Sequence, residues 1–188
     1  MSILIINGSP RKNGATAKIL IAISDRISED KKVELIHISD LNIKPCMGCM
    51  KCRPEKECVL PEDDAHLMRK KINEADALVV GTPTYWGNMS GQLKILFDRN
   101  VPLFEYIGKG IPKPKQKGKK AIIVTASAAP WPFNLLGSQG AGAIRAVKVV
   151  LRSAGYKIIG TINMPNTKKT TDTPKKILKK AKRLGSKL

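Results

Sequence analysis

Short apolar runs rich in β-branched residues alternate with helical patterns along nearly the whole chain, and this alternation limits the fold more than any other feature. Ser2 to Ile6, Val33 to Ile38, Ala77 to Gly81, Lys120 to Thr125 and Lys157 to Asn163 read as strands. Ala15 to Ser28 carries Ile19, Leu20, Ile23 and Ile27 at helical spacing. Asp63 and Asp64 open a second helix, as acids at a helix N-terminus should. Ser90 to Asn100, a long helix within Leu136 to Ala154, and a basic helix from Thr173 to Leu184 complete the series. Strands that are apolar throughout are buried on both faces, which predicts a parallel sheet with helices on either side. Five strands and five helices in 188 residues predict one doubly wound α/β domain over 1–188, with no repeat and no linker. Ligands of such sheets bind beyond the carboxyl ends of the strands at the switch point. The loops after strands one, three and four are therefore the ones to search.

After strand one comes Asn7-Gly8-Ser9-Pro10-Arg11-Lys12-Asn13-Gly14-Ala15-Thr16, and a helix follows at once. The free N–H groups and dipole of that helix make its start an anion site. Ser9, Asn13 and Thr16 offer polar side chains there, and Arg11 and Lys12 offer charge. The loop is not a Walker loop and lacks the three glycines of a dinucleotide fingerprint. It suits one terminal phosphate monoester. A plain turn before a helix, with a surface Arg-Lys pair, is the alternative.

The loop after strand three reads Gly81-Thr82-Pro83-Thr84-Tyr85-Trp86-Gly87-Asn88-Met89-Ser90, with Gln92-Leu93-Lys94 and Asp98-Arg99 beyond it. Pro83 to Asn88 supply an aromatic pair and backbone amides, which can contact a flat ring and its polar edge. The loop after strand four, from Thr125 to Asn134, contains Ser127, Trp131 and Phe133. The two aromatics there are expected at a subunit interface or a cofactor rim. Together these segments resemble the NAD(P)H-dependent FMN reductase family, a branch of the flavodoxin-like fold, over nearly the whole chain. The resemblance implies a flavodoxin-like five-stranded parallel sheet. It implies FMN with its phosphate on Ser9, Arg11, Lys12, Asn13 and Thr16. The ring would lie against Pro83, Thr84, Tyr85, Trp86, Gly87, Asn88 and Ser127.

All four cysteines, Cys46, Cys49, Cys52 and Cys58, lie within thirteen residues of an irregular segment, 41–62. In a reducing compartment such a group reads as metal-binding or redox-active. The spacing Cys-x2-Cys-x2-Cys-x5-Cys resembles the compact motif of the iron–sulfur flavoproteins of this same family, which hold a four-iron, four-sulfur (4Fe-4S) cluster. Structural zinc and a loop of free thiols are the competing readings. Zinc sites of four cysteines usually come as two separated pairs. His37 and His66, the only histidines, fall in a strand and a helix and are expected to be structural.

The net charge is +19, from 34 basic and 15 acidic residues. Six lysines fall between Lys109 and Lys120, and eight more with Arg183 between Asn166 and Leu188. Such fields favour acidic partners. No helix-turn-helix, zinc-finger or RNA-binding motif is present and the aromatics are not interleaved with the basic runs, so nucleic acid is not the expected partner. No signal segment and no run of membrane-spanning length is found, so a cytoplasmic, soluble protein is expected. No hydrolytic triad or carboxylate dyad is present, and no general acid or base is assigned. The expected function is electron transfer, from a carrier such as ferredoxin through the cluster to FMN, in a homo-oligomer (dimer or tetramer). The alternative is a metal-free NAD(P)H-dependent FMN or quinone reductase.

Overall fold

The computed structural model describes all residues except 54–56, 107–112, 137–138 and 169–171. Five strands form one parallel sheet: β1 (Ser2–Asn7), β2 (Lys32–His37), β3 (Ala77–Pro83), β4 (Lys120–Ala126) and β5 (Lys157–Met164), in the order β2-β1-β3-β4-β5. That is the flavodoxin-like order, with the direction of winding reversing between β1 and β3. The principal helices are α1 (Ala15–Ser24), α2 (Asp64–Glu74), α3 (Gly91–Arg99), α4 (Gln139–Ser153) and α5 (Lys175–Gly185).

The strands have a side-chain period of two, so successive residues feed opposite layers. Leu4, Ile6, Leu78, Val80, Ala121 and Ile123 meet Met68 and Ile72 of α2, Leu93, Leu96 and Phe97 of α3, and Val147 and Leu151 of α4. Ile3, Ile5, Val79, Ile122 and Val124 meet Ile19, Leu20 and Ile23 of α1 and Ala181 and Leu184 of α5. Each buried Leu or Ile contributes about 1.5–3 kcal/mol. The two layers pin the sheet from both sides, and the strand ends are placed accordingly.

Boundaries differ from the sequence reading in a few places. The first helix stops at Ser24, and Arg26 and Ile27 turn back on Ile23 and Ser24 by short backbone bonds. Ile27 stays buried without being helical. The lysine-proline segment expected as a loop over 109–118 contains a strand pair: Lys113–Pro114 pairs antiparallel with Glu105–Tyr106. Positions 109–112 of that expectation lie outside the described residues, as do 54–56 of the cysteine segment and 169–171 of the tail. Among the described residues no helix is long and apolar enough to cross a membrane.

Candidate functional site

The winding order puts the loops after β1, β3 and β4 side by side at one end of the sheet. Two short bonds lock the first two together. Gly8 N–H donates to Gly81 O at 2.7 Å, and the Ser90 hydroxyl donates to Gly8 O at 2.7 Å. Ser90 also caps α3, accepting from Leu93 N–H at 3.3 Å, and its own N–H donates to Thr82 Oγ1 at 2.9 Å. The third loop joins through Thr84 N–H to Ala126 O, and Ser127 N–H to Met164 O, both at 2.9 Å.

In the first loop Ser9 is buried, its N–H donating to Asn7 Oδ1 at 3.0 Å and its Oγ accepting from Arg11 N–H at 3.2 Å. Thr16 is buried in the first turn of α1. The cap of that helix is Gly14, which has no side chain to satisfy the first amides, so their N–H groups face the loop. Arg11 and Asn13 are exposed at the same rim. Lys12, on the same rim, has its ammonium 2.6 Å from Asp40, beyond the end of β2. The Lys12 hydrogen bond in turn holds the Asp40 carboxyl below the usual carboxylate range.

In the second loop Tyr85 and Asn88 exchange backbone bonds at 3.0 and 2.9 Å. The turn between them has Trp86 at φ 51° and Gly87 at φ 74°. Two positive φ values are what a type I′ turn needs. Its tip points outward, leaving Trp86 98% exposed. A Cβ on Gly142 of α4 would come within 2.1 Å of Gly87 O, so α4 fits this turn only through a glycine. Pro83 and Thr84 are half-buried beneath the turn, and Asn88 is exposed. Trp131 and Phe133 of the third loop are exposed too.

Among the described residues, buried side-chain oxygens of these loops without a partner include Thr84 Oγ1, Ser127 Oγ and Asn134 Oδ1. Buried hydroxyls are rarely left unpaired. Orphans at the ends of β3 and β4, beside uncapped amides of α1, are the donor set a polar-edged ring with a phosphate tail would satisfy. The loops therefore fit FMN.

The cysteine segment meets the start of α2 and the end of α3. Cys46, Cys49, Cys52 and Cys58 all line one cavity of about 60 Å³, with Arg53, Leu60, Arg99 and Val101. That volume is far below the roughly 300 Å³ at which organic ligand pockets begin. Among the described residues no group of three His, Cys, Asp or Glu side chains converges as a single metal ion requires. Cys46 and Cys49 are exposed, and Cys52 and Cys58 are half-buried. Burial pushes the Cys52 thiol up; a backbone hydrogen bond opposes this, and the sulfurs of Cys58, Cys46 and Cys49 add to it.

A polar network fixes the wall of that cavity. Asp63 caps α2 in a capping box with His66, whose Nε2 donates to Cys58 O at 3.1 Å. Arg99, 2% exposed, grips Asp63 through Nη1 at 2.6 Å and Nη2 at 3.0 Å. Its Nη1 also reaches Lys44 O at 2.7 Å, and its Nε points to Cys58 Sγ at 3.2 Å. Burial alone would raise the Asp63 pKa, but the Arg99 hydrogen bonds and the N–H groups of Lys44 and Ala65 hold it below the usual range. His66 thus ties the start of α2 to the cysteine segment. His37 bonds Asn7 at 2.9 Å.

The model of the NADPH-dependent FMN reductase family matches residues 1–165. The chain belongs to that family. It is a family of FMN-dependent oxidoreductases, and the flavodoxin-like sheet and the three loops are where this one meets its fold. An iron–sulfur flavoprotein of Clostridioides difficile is 30% identical over 96% of this chain and 77% of its own length. One of Archaeoglobus fulgidus is 32% identical over 97% and 76%. A Methanocaldococcus jannaschii iron–sulfur flavoprotein is 38% identical over 55% of this chain, and the match spans about half, 53%, of that protein. Among solved structures, Smu.1420 of Streptococcus mutans superposes with a TM-score of 0.79 at 20% identity over the full length of both chains. An NAD(P)H:quinone oxidoreductase of Methanothermobacter marburgensis superposes with a TM-score of 0.70 at 20% identity over 99% and 96%. These likenesses establish the fold.

Ser90 and Arg99 escaped the sequence reading as site residues. Ser90 carried the ordinary signal of a helix cap. For Arg99 no local signal exists, since its partners stand 36 and 41 positions away.

Proposed function

We propose that this chain is an iron–sulfur flavoprotein: one flavodoxin-like unit that moves electrons between a cluster on Cys46, Cys49, Cys52 and Cys58 and an FMN at the ends of β1, β3 and β4. The observation that carries the reading is that the four cysteines line one small cavity and that the Arg99 Nε–H is aimed at the sulfur of one of them, Cys58. A single zinc needs four donors converging at about 2.3 Å, whereas a four-iron cluster is surrounded by its thiolates. FMN would bind by its phosphate to the start of α1, with Ser9, Arg11, Asn13 and Thr16 around it. Its ring would lie under Pro83 to Asn88, where Thr84 and Ser127 hydroxyls await partners. When bound, the flavin accepts or releases one or two electrons, and the protein supplies position and field. Lys12, held by Asp40, adds only long-range charge.

The electron donor in this reading is a small acidic carrier of the ferredoxin type. The basic face of α5 supports docking: Lys175, Lys179, Lys182 and Arg183 line a shallow groove with Arg26. The 113–120 segment supports it less, because Lys119 and Lys120 already donate to the carbonyls of Asn73 and Lys187. Complementary charge acts mainly on association rate, so added salt should slow reduction by such a carrier and leave a neutral quinone's reaction unchanged.

A second reading has its own support. Tyr85 and Trp86 are exposed beside the proposed ring site, where a second planar molecule would have aromatic surface to contact, as a metal-free NAD(P)H-dependent FMN or quinone reductase would require. Anaerobic reconstitution followed by joint iron and flavin analysis separates the two. The proposal expects about four irons and one FMN per chain, with absorption beyond the flavin bands. Flavin without iron, combined with rapid NADPH oxidation, would establish the metal-free reductase instead.

A further inference from the structure

Arg99 closes α3 with its side chain wholly enclosed, 0% exposed against 8% for Asp63. A buried guanidinium needs a carboxylate, and Asp63 meets that need from the outer fork of Nη1 and Nη2. The inner N–H is left over, and it is turned onto Cys58 Sγ at 3.2 Å. Nothing in the demands of burial requires a sulfur there. The far side of Cys58 is fixed as well, through its carbonyl and His66 Nε2 at 3.1 Å. Donor and sulfur are thus both anchored to the start of α2, and their spacing is set by the fold.

We propose that Arg99 raises the reduction potential of the cluster held by Cys46, Cys49, Cys52 and Cys58, acting through the Cys58 sulfur. The inference rests on the cluster reading above. Reduction transfers one electron from a reduced carrier to the cluster, with no bond broken and no proton required. The added negative charge spreads over the iron, the sulfides and the four thiolates. A cation that also donates to a thiolate stabilises the reduced form more than the oxidised one. Hydrogen bonds to sulfur and local net charge are the protein's levers on such potentials. The guanidinium keeps its charge at every working pH. Asp63 tempers its field from the side of the fork facing away from the sulfur. Arg99 is a positioning residue in this sense, distinct from the ligands themselves.

Opposite shifts in two variants test the idea. Asp63→Asn keeps a competent helix cap while removing the opposing carboxylate. Asp63→Asn with Arg99→Met removes both charges and the N–H donor while filling the same space. Each full-length protein is reconstituted anaerobically, its iron is counted, and the cluster is titrated with dithionite while the reduced species is followed by electron paramagnetic resonance. Asp63→Asn should shift the midpoint positive, and the double variant should shift it negative of wild type. General loosening of the loop would move both the same way. Should the double variant lose iron, Arg99→Lys provides the reading, since it keeps the charge but not the fixed fork, and its midpoint should fall below wild type. Iron-replete variants with unchanged midpoints, or with shifts of one sign, overturn the inference while leaving the cluster in place. Loss of iron from every variant makes Arg99 a structural clamp and overturns it as well. Wild-type protein that takes up no iron removes the cluster reading and this inference together.

Discussion

Replacing Ser90 by Ala removes one oxygen that holds two loops and a helix. Its hydroxyl donates to Gly8 O and accepts from Leu93 N–H, and the residue is buried. Loss of an N-cap costs about 1 kcal/mol. The Gly8 carbonyl, left without this donor in a buried position, adds about 1–2 kcal/mol. The sum of about 2–3 kcal/mol is large against a total stability of roughly 5–15 kcal/mol. For a chain of this size it corresponds to a fall in Tm of about 4–12 °C. Urea unfolding followed by circular dichroism, at one fixed FMN concentration, measures it. Ser186→Ala serves as control, since that hydroxyl is exposed and, among the described residues, bonds only Arg183 O; its effect should stay within about 0.5 kcal/mol. FMN affinity should fall as well, because Gly8 begins the loop proposed to carry the phosphate. A Ser90→Ala protein as stable as the control, with the same dependence on urea, would refute the claim that this oxygen ties the loops together.

Thr16→Ala and Arg11→Ala should each weaken FMN binding, read by quenching of flavin fluorescence, while Lys12→Ala should change it least because Lys12 is paired with Asp40. Tyr156 is buried, its hydroxyl has no partner among the described residues, and burial pushes its pKa up. Tyr156→Phe should therefore be neutral or stabilising by up to about 1 kcal/mol in thermal unfolding. Asp63 is held below the usual carboxylate range, so its pairing with Arg99 stabilises the fold above the unfolded pKa of about 3.9 and is lost as pH falls through the lower folded value. Asp63→Asn should cost about 3–5 kcal/mol at pH 7, as breaking a buried pair does, and the gap to wild type should narrow in urea titrations taken below about pH 4. Gly142→Ala drives a methyl into Gly87 O and should displace the turn at Trp86, visible as a changed tryptophan emission.

A parallel sheet with helices on both faces was legible because it rests on local patterns, whereas the strand order came only with the family resemblance. Ile3 and Leu4 differ only in which side of a strand they occupy, and the period of two assigns them to opposite layers. The three loops were legible because a winding order places them together whatever their side chains do. The direction of Lys12 was not, because Asp40 reaches it from a short helical turn, Ile38–Asp40, that no propensity announces. The pairing of Lys113–Pro114 with Glu105–Tyr106 was hidden by proline, which reads as loop and here sits in a two-residue ribbon at the surface. The burial of Arg99 was hidden most deeply. Charged residues are almost never fully enclosed unless paired, so sequence reasoning assigns an arginine at a helix end to the surface, and only the fold supplies the partners.

Ser90 and Arg99, the two residues that escaped the sequence reading of the site, bound one element, α3. α3 is nine residues long, and its two ends do unlike work. Its cap, Ser90, fastens the loop proposed for the FMN phosphate, and its last residue, Arg99, fastens the cysteine segment. At 1.5 Å per residue, Gly91 and Arg99 stand about 12 Å apart along the axis. Between them Leu93, Leu96 and Phe97 are packed into the core, and Phe97 meets Phe104 edge to face at 5.3 Å. A short helix clamped along its length bends little, so the spacing of the two candidate centres is set by packing and not by either loop. Substitutions at one end should therefore act locally: Ser90→Ala on the flavin loops, Asp63→Asn on the cysteine wall. Only a cavity in the middle, such as Phe97→Ala, which costs about 3–5 kcal/mol in a core, should disturb both ends at once.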